Sequence, residues 1–322
     1  MGLDVPIVLI IFRRPNETRQ VFEAIRRAQP QRLYIVGDSA REGNAAEAEA
    51  VETCRSIVRD VDWDCEIFTD YPTENLGLRQ RVVSGLDWVF SIEQRAIILE
   101  DDCVPVDSFF DLTSYLLYHY AEDERVGGIG GTNIGTKLPG EGNSYFFSRY
   151  PVIWGWATWR RVWLEYRSDI PTPSKSLLAK YKGFSPSSST SSYWRSKFQG
   201  VSSRRIDTWD YQLAYLSMIK DYLWVVPAKN LVANIGFGAA ATHTWDAKSP
   251  YSRLSTGDIV KPYVHPAKIE PNDRFDQWLR ETMHKESSLH RFATRVMNSL
   301  PERIRSLVLR MVLKRRGGAS IE

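Results

Sequence analysis

Residues 96 to 105 read AIILEDDCVP, an apolar run that ends in Glu100, Asp101 and Asp102. A short apolar run closed by turn signals marks a buried strand. Charge at the end of such a strand is costly unless something offsets it. In open α/β sheets the carboxyl ends of the strands are also where ligands bind. Side chains alternate along an extended chain, so Glu100 and Asp102 point one way and Asp101 the other. A divalent cation is the natural counter-charge. Mg2+ or Mn2+ takes one or two protein carboxylates and completes its shell with phosphate and water. The competing reading is a solvated acidic turn.

Working outward from this stretch, the first 130 residues alternate between strand and helix patterns. PIVLIIF (6–12), RLYIVGD (32–38), CEIFTD (65–70) and AIILE (96–100) read as strands. Between them lie a helix from Asn16, an Ala/Glu-rich helix over 44–59, and LRQRVVSGLDWVFS (78–91), with Val82, Leu86 and Val89 on one side. Strands alternating with helices at this spacing predict an α/β fold, a mostly parallel sheet with helices on both faces. The pattern then changes. VGGIGGTNIG (126–135) predicts a strand running into a close-approach loop. The stretch 171–204, rich in Ser, Pro and Lys, is expected to bury little and to be mobile, as a lid or a linker. A helix resumes near DTWDYQLAYLSMIK (207–220), then a strand, YLWVVP (222–227), and two helical stretches follow at about 272–285 and 286–316.

Composition excludes several classes. The chain has 322 residues and a formal net charge of +3, so nothing global calls for nucleic acid. Cys54, Cys65 and Cys103 form no CxxC spacing, which argues against a zinc site or a disulfide framework. The apolar run from Val5 to Phe12 is far shorter than the ~20 residues of a spanning helix and reads as a strand, not a signal peptide.

A metal-diphosphate site needs donors nearby. ENLGLRQR (74–81) offers Asn75, Gly77, Arg79 and Arg81 where a helix starts. Helix N-termini and arginine forks both suit phosphate, although each arginine could equally form a surface ion pair. Asp38, at the end of the second strand, could accept from a nucleobase or ribose, or cap the next loop. Trp154, Trp156 and Trp209 are either core residues or the flat wall of a sugar site.

The ordered series IVLIIFRRP, LYIVGD, ENLGLRQRVVSGLDWVF, AIILEDDCVP, WGWATWRRVW, DTWDYQ and NLVANIGFG with ATHT resembles bacterial glycosyltransferases of the GT-A fold, distantly similar to N-acetylglucosaminyltransferase I. It runs from about residue 5 to 245. The resemblance implies a Rossmann-like GT-A domain over 1–250, with a donor half to about 130 and an acceptor half from 131, followed by a C-terminal helical extension over 251–322. It also implies a nucleotide-diphosphate sugar donor, a UDP-sugar favoured, a bound Mn2+ or Mg2+, and transfer with inversion. By motif, Asp102 is the metal ligand, Glu100 and Asp101 contact the donor's sugar and ribose, and Asp38 lies by the nucleoside. The base that takes the acceptor hydroxyl's proton falls on Asp210, with Asp207 as its rival, unless the two form a helix cap with Asp207 at the N-cap and Asp210 at N3. His243 completes the metal shell or contacts the diphosphate. The chain departs from the family pattern at Ala239–Ala241, where an acidic residue often stands.

The implied role is a cytoplasmic enzyme of bacterial surface polysaccharide synthesis whose acceptor is a glycan or lipid-linked glycan. Residues 300–318 form a basic amphipathic pattern that either touches the inner face of the membrane or packs as a helix. Two other classes stay open. A sugar-phosphate nucleotidyltransferase usually carries a glycine-rich loop after strand one, where this chain has RRPNETR. A non-catalytic glycan-binding protein could keep the same fold.

Overall fold

The computed structural model describes residues 2–135, 142–237 and 254–284. The strand-forming runs do pair. Strands β1 (Ile7–Ile11), β2 (Arg32–Gly37), β3 (Glu66–Asp70) and β4 (Arg95–Glu100) lie parallel in the order β3-β2-β1-β4. Helices α1 (Pro15–Ala28), α2 (Ala45–Arg59) and α3 (Leu78–Ile92) connect them. The chain moves outward from β1 to β3 and then returns to the other side of β1. Right-handed crossovers therefore put α1 and α2 on one face and α3 on the other. Accordingly α1 packs on α2, while α3 packs on the short helix α5 described below. The reversal between β1 and β4 is the switch point at which open α/β sheets leave a crevice.

The second half extends the same sheet. A two-residue turn joins β4 to β5 (Cys103–Pro105), and α4 (Asp107–His119) leads to β6 (Val126–Gly130). Next come β7 (Tyr145–Ser148), β8 (Trp156–Trp159), α5 (Arg160–Trp163), α6 (Lys175–Lys180), α7 (Ser188–Ser202), α8 (Asp210–Lys220), β9 (Leu223–Pro227), β10 (Val232–Asn234) and α9 (Asp273–Thr282). The sheet continues β4-β8-β6-β9-β7, with β8 antiparallel to β4 and β6, β9 parallel to β6, and β7 antiparallel to β9. The result is an eight-stranded, mixed, mostly parallel sheet flanked by helices, which is the fold class expected from the sequence. A separate ribbon pairs β10 with β5, bringing Asn234 opposite Cys103.

Two cores hold these layers. The larger lies around β1, β2, β4 and the aromatic residues of β8 and β9. The smaller is built from α6 to α9. Here the structure departs from the reading of 171–204 as a stretch that buries little. Two helices form in it, and Leu178, Phe184, Trp194, Phe198 and Val201 are buried. The serines dilute the composition but occupy the caps and the outer turn. Ser174 and Ser187 each accept the backbone N–H three residues on, while the few aromatics face inward.

Candidate functional site

The parallel register sets the floor of the site. Ile10 of β1 stands opposite Glu100, and Ile11 opposite Gly37, so the carboxyl ends of three strands open at one level. Above them is a cavity of about 280 Å³, lined from the first half by Phe12, Arg13, Arg14, Asp38, Arg41, Asn75, Arg81 and the Glu100–Asp102 turn. From the second half come Ile153, Trp154, Thr208, Trp209, Asp210 and Asn234. Ten of the residues singled out from the sequence meet here: Asp38, Asn75, Gly77, Arg81, Glu100, Asp101, Asp102, Trp154, Trp209 and Asp210.

The acidic turn already holds a cation. The Arg14 guanidinium donates to Asp102 Oδ2 at 2.5 Å and to Asp101 Oδ1 at 3.3 Å, and the Phe12 backbone N–H donates to Asp101 Oδ2 at 3.3 Å. Burial works against the charge on Arg14, but Asp101 and Asp102 outweigh it and hold its pKa above the ordinary value. The Glu100 carboxylate accepts no hydrogen bond among the described residues. Burial first, and then the charges of Asp102, Asp101 and Asp210, push its pKa upward. Asp101 is raised by burial despite Arg14. Sequence reasoning missed Arg14. The signal was there, because a residue just past β1 must meet the end of β4 once the two strands pair in parallel.

Asp210 is the first residue of α8 and comes from the opposite wall. Its Oδ1 accepts from the Thr208 hydroxyl at 2.5 Å and from the Tyr211 N–H at 2.8 Å. Its Oδ2 makes no hydrogen bond among the described residues. The cap arrangement considered for DTWD does not form, since Trp209 is the N-cap residue and Asp210 is at N1. Asp207 does not line the cavity. It is mostly exposed at the rim, 3.6 Å from Arg79 Nε. Arg79 therefore stands beside the site, between Asp207 and Asp169.

Asp38 spends its oxygens within the protein. Oδ1 accepts the N–H groups of Ser39 and Leu76, and Oδ2 accepts from Asn75 Nδ2 and the Gly77 N–H. A carboxylate has about four acceptor positions, so Asp38 ties the 75–77 loop to the end of β2. Gly77, at φ 77°, makes the turn that starts α3. Arg81 is buried and pairs with Asp70. For Trp156 the core reading holds. It is 1% exposed and stacks beneath Trp209 at 5.5 Å. Trp154 is half-buried beside the cavity and meets Phe237 edge-on at 5.7 Å.

The segment after β10 crosses the acidic turn. The Ile235 N–H donates to the Asp102 carbonyl at 2.8 Å, and a Cβ at Gly236 would collide with Asp102 Oδ2. Only glycine allows that approach. His243, Ala239–Ala241 and residues 300–318 lie outside the described residues. Also missed from the sequence were Arg13 and Arg41, both paired with the buried Glu47 of α2. Their partner is thirty-four residues from Arg13 in the chain, and no local pattern links them.

Glu100 and Asp102 present hard oxygen donors beside a space open to a ligand, and this donor set fits a divalent cation that also takes phosphate and water. Among the described residues no three His, Cys, Asp or Glu side chains converge as a cage that would hold a metal unaided.

Neither a protein-family model nor a curated protein sequence matches the chain. Several solved structures are similar in fold. A mannosyltransferase from Pyrobaculum calidifontis, in complex with GDP-Man and Mn2+, aligns with a TM-score of 0.38 at 10% identity over 69% of each chain. A UDP-glucose pyrophosphorylase complexed with UDP-glucose aligns at 0.36 and 8%, over 69% of this chain and 90% of its own. Mouse xyloside xylosyltransferase 1 aligns at 0.33 and 11%, over 67% and 81%. These likenesses are too loose to assign a substrate or a reaction.

Proposed function

We propose that the chain is a metal-dependent inverting glycosyltransferase, which moves a sugar from a nucleotide-diphosphate donor to a hydroxyl of a glycan or lipid-linked acceptor. The observation that carries this reading is Asp210. One of its oxygens is fixed by Thr208 and Tyr211, the other makes no hydrogen bond among the described residues, and the residue lines the cavity together with Glu100 and Asp102. A carboxylate held in that way can take the acceptor hydroxyl's proton as the new C–O bond forms.

In this reading Asp102 and Glu100 hold the cation, which when bound supplies charge stabilisation of the departing diphosphate. Arg14 draws the diphosphate toward the floor. Asp38 acts by fixing the loop that lines the nucleoside end, and Asp101 by anchoring Arg14 and the Phe12 backbone. Trp154 and Phe237 provide an apolar wall for a sugar face, above the packed pair of Trp209 and Trp156. The β1–α1 connection is only Phe12 to Arg14. A loop that short does not wrap a triphosphate, which favours sugar transfer over nucleotidyl transfer. A UDP-sugar donor, and a cytoplasmic place in surface polysaccharide synthesis, belong to the same proposal. No helix among the described residues is long and apolar enough to cross a membrane.

The test is Asp210→Asn. Binding of UDP with Mn2+, measured by calorimetry, should match the parent chain. Sugar transfer should fall about 10²- to 10⁴-fold, the usual contribution of a general base. Normal turnover would remove Asp210 from this role and pass it to Asp207.

A further inference from the structure

Behind the acidic turn lies the β5–β10 ribbon. Its first residue, Cys103, directly follows Asp102 and is fully buried. Antiparallel pairing sets Asn234 opposite it. The Cys103 thiol donates to Asp102 Oδ1 at 3.4 Å, and the Asn234 amide nitrogen donates to the Cys103 sulfur at 4.0 Å. The amide's orientation is fixed, because its Oδ1 accepts the Gly236 N–H at 2.9 Å. Asn234 lines the cavity together with Asp102, so this chain of contacts runs along the cavity wall into the protein.

The two oxygens of Asp102 therefore have different surroundings. Oδ1 turns to the buried thiol. Oδ2 takes the Arg14 guanidinium at 2.5 Å, and the Gly236 backbone lies so close to it that a Cβ would not fit. The main chain is tied as well, by the Ile235 N–H on the Asp102 carbonyl at 2.8 Å. Rotation of the carboxylate would break the contacts of both oxygens together. A thiol keeps its proton at neutral pH and is a weak donor. It can orient an oxygen without neutralising the charge that a cation needs. Positive charge already sits on the other oxygen, in the form of Arg14.

We propose that Cys103 is a positioning residue that makes Asp102 a one-oxygen metal ligand, with Oδ2 toward the cation and Oδ1 withheld, and that it thereby sets which cation the site accepts. Asn234 steadies the thiol in that orientation. Ca2+ gathers more oxygens than Mg2+ and can take both oxygens of one carboxylate, whereas Mg2+ and Mn2+ suit an octahedral shell. Withholding Oδ1 favours the smaller ions over Ca2+. This rests on the metal-dependent reading for the place of the cation on Asp102.

The experiment mixes the full chain with Mn2+ alone, counts free Mn2+ by electron paramagnetic resonance, and adds Ca2+ until half of the bound Mn2+ is released. In Cys103→Ala the Ca2+ required, relative to the Mn2+ affinity, should fall about fivefold, the scale of one net hydrogen bond. Cys103→Ser puts a hydroxyl donor in the same place and should keep the parent's ratio. Cys54→Ala is the control, since that thiol is equally buried but pairs with Thr18; it should also keep the ratio. Thermal unfolding in EDTA checks that each variant folds, and Cys103→Val, which lacks the donor but fills more space, replaces Cys103→Ala if the latter does not. An unchanged ratio in Cys103→Ala, an equal fall in Cys54→Ala, or Cys103→Ser behaving like Cys103→Ala would overturn the inference and leave the metal-dependent reading standing. A parent chain that binds no Mn2+ would remove that reading, and the inference with it.

Discussion

Replacing Arg14 with methionine removes the one guanidinium bonded to both Asp101 and Asp102 while keeping most of its apolar stem. In the parent chain Arg14 is 15% exposed, and the two aspartates are 11% and 13% exposed. Removing one partner of a buried ion pair costs roughly 3–5 kcal/mol, because the remaining charge is stranded. Here the stranded carboxylates include Asp101, and burial already raises its pKa and that of neighbouring Glu100, so a proton can replace part of the lost positive charge. That places the cost at the low end, about 3 kcal/mol, and for a chain of this size it lowers Tm by about 5 °C. The assay is thermal unfolding by circular dichroism in EDTA at pH 7.5, repeated with Mn2+. In EDTA the variant should melt about 5 °C below the parent chain. Mn2+ should raise the variant's Tm more than the parent's, because binding to the folded state stabilises by mass action and in the variant no guanidinium competes for Asp102. A variant that melts within a degree of the parent in EDTA would show that Arg14 does not offset the acidic turn. The electrostatic account of the floor would then be wrong.

Asp38→Ala releases four hydrogen bonds, three of which hold residues 75–77. It should reduce UDP affinity at least tenfold in a calorimetric titration while leaving the sheet's circular dichroism unchanged, whereas Asp38→Asn, which keeps an acceptor oxygen, should lose less. Trp156→Ala empties a core site and should cost about 3–5 kcal/mol in urea unfolding. Trp154→Ala should cost much less stability and instead raise KM for the acceptor. His265 is held below its ordinary pKa by burial and by His119, which stacks on it at 4.6 Å, and its two ring nitrogens meet the hydroxyls of Tyr145 and Tyr115. The folded state therefore binds that proton less readily than the unfolded chain. The stability it contributes is intact above the ordinary histidine range and is lost as pH falls through the lowered value. Tm should decline between about pH 7 and pH 5, and His265→Gln should flatten that decline.

The first half of the chain was legible because its information is local. Continuous apolar runs at β1, β2 and β4 can only be buried strands, and the helices between them carry one apolar face each. The turn at 100–102 stood out for the same reason, as charge where the pattern demanded burial. Less legible was everything that depends on pairing across the chain. Arg14 belongs to the acidic turn only because β1 lies next to β4, and Glu47 matters only because α2 begins beside the end of β1. Asp38 shows the reverse. Its position at a strand end marked it as a candidate and it lines the cavity, but whether its oxygens face a ligand or the 75–77 loop depends on a turn whose geometry no spacing rule supplies. In 171–204 composition misled, because helix caps and solvent-facing turns use serine freely while five buried apolar side chains are enough to anchor two short helices.

The arrangement of charge follows from this topology. Parallel pairing forces the ends of β1 and β4 together, so a chain that places carboxylates on one must place a cation on the other or lose stability before any ligand arrives. Arg14 meets that requirement within the protein, so the chain can be stable without a metal, and in the proposed reading a divalent cation would enter as a competitor for Asp102. No such constraint acts on Asp210. It stands on the far wall, tied through one oxygen to its own helix start. In the proposed reading one wall would exchange its internal cation for a metal and a diphosphate, while the other would hold a carboxylate in place to take a proton.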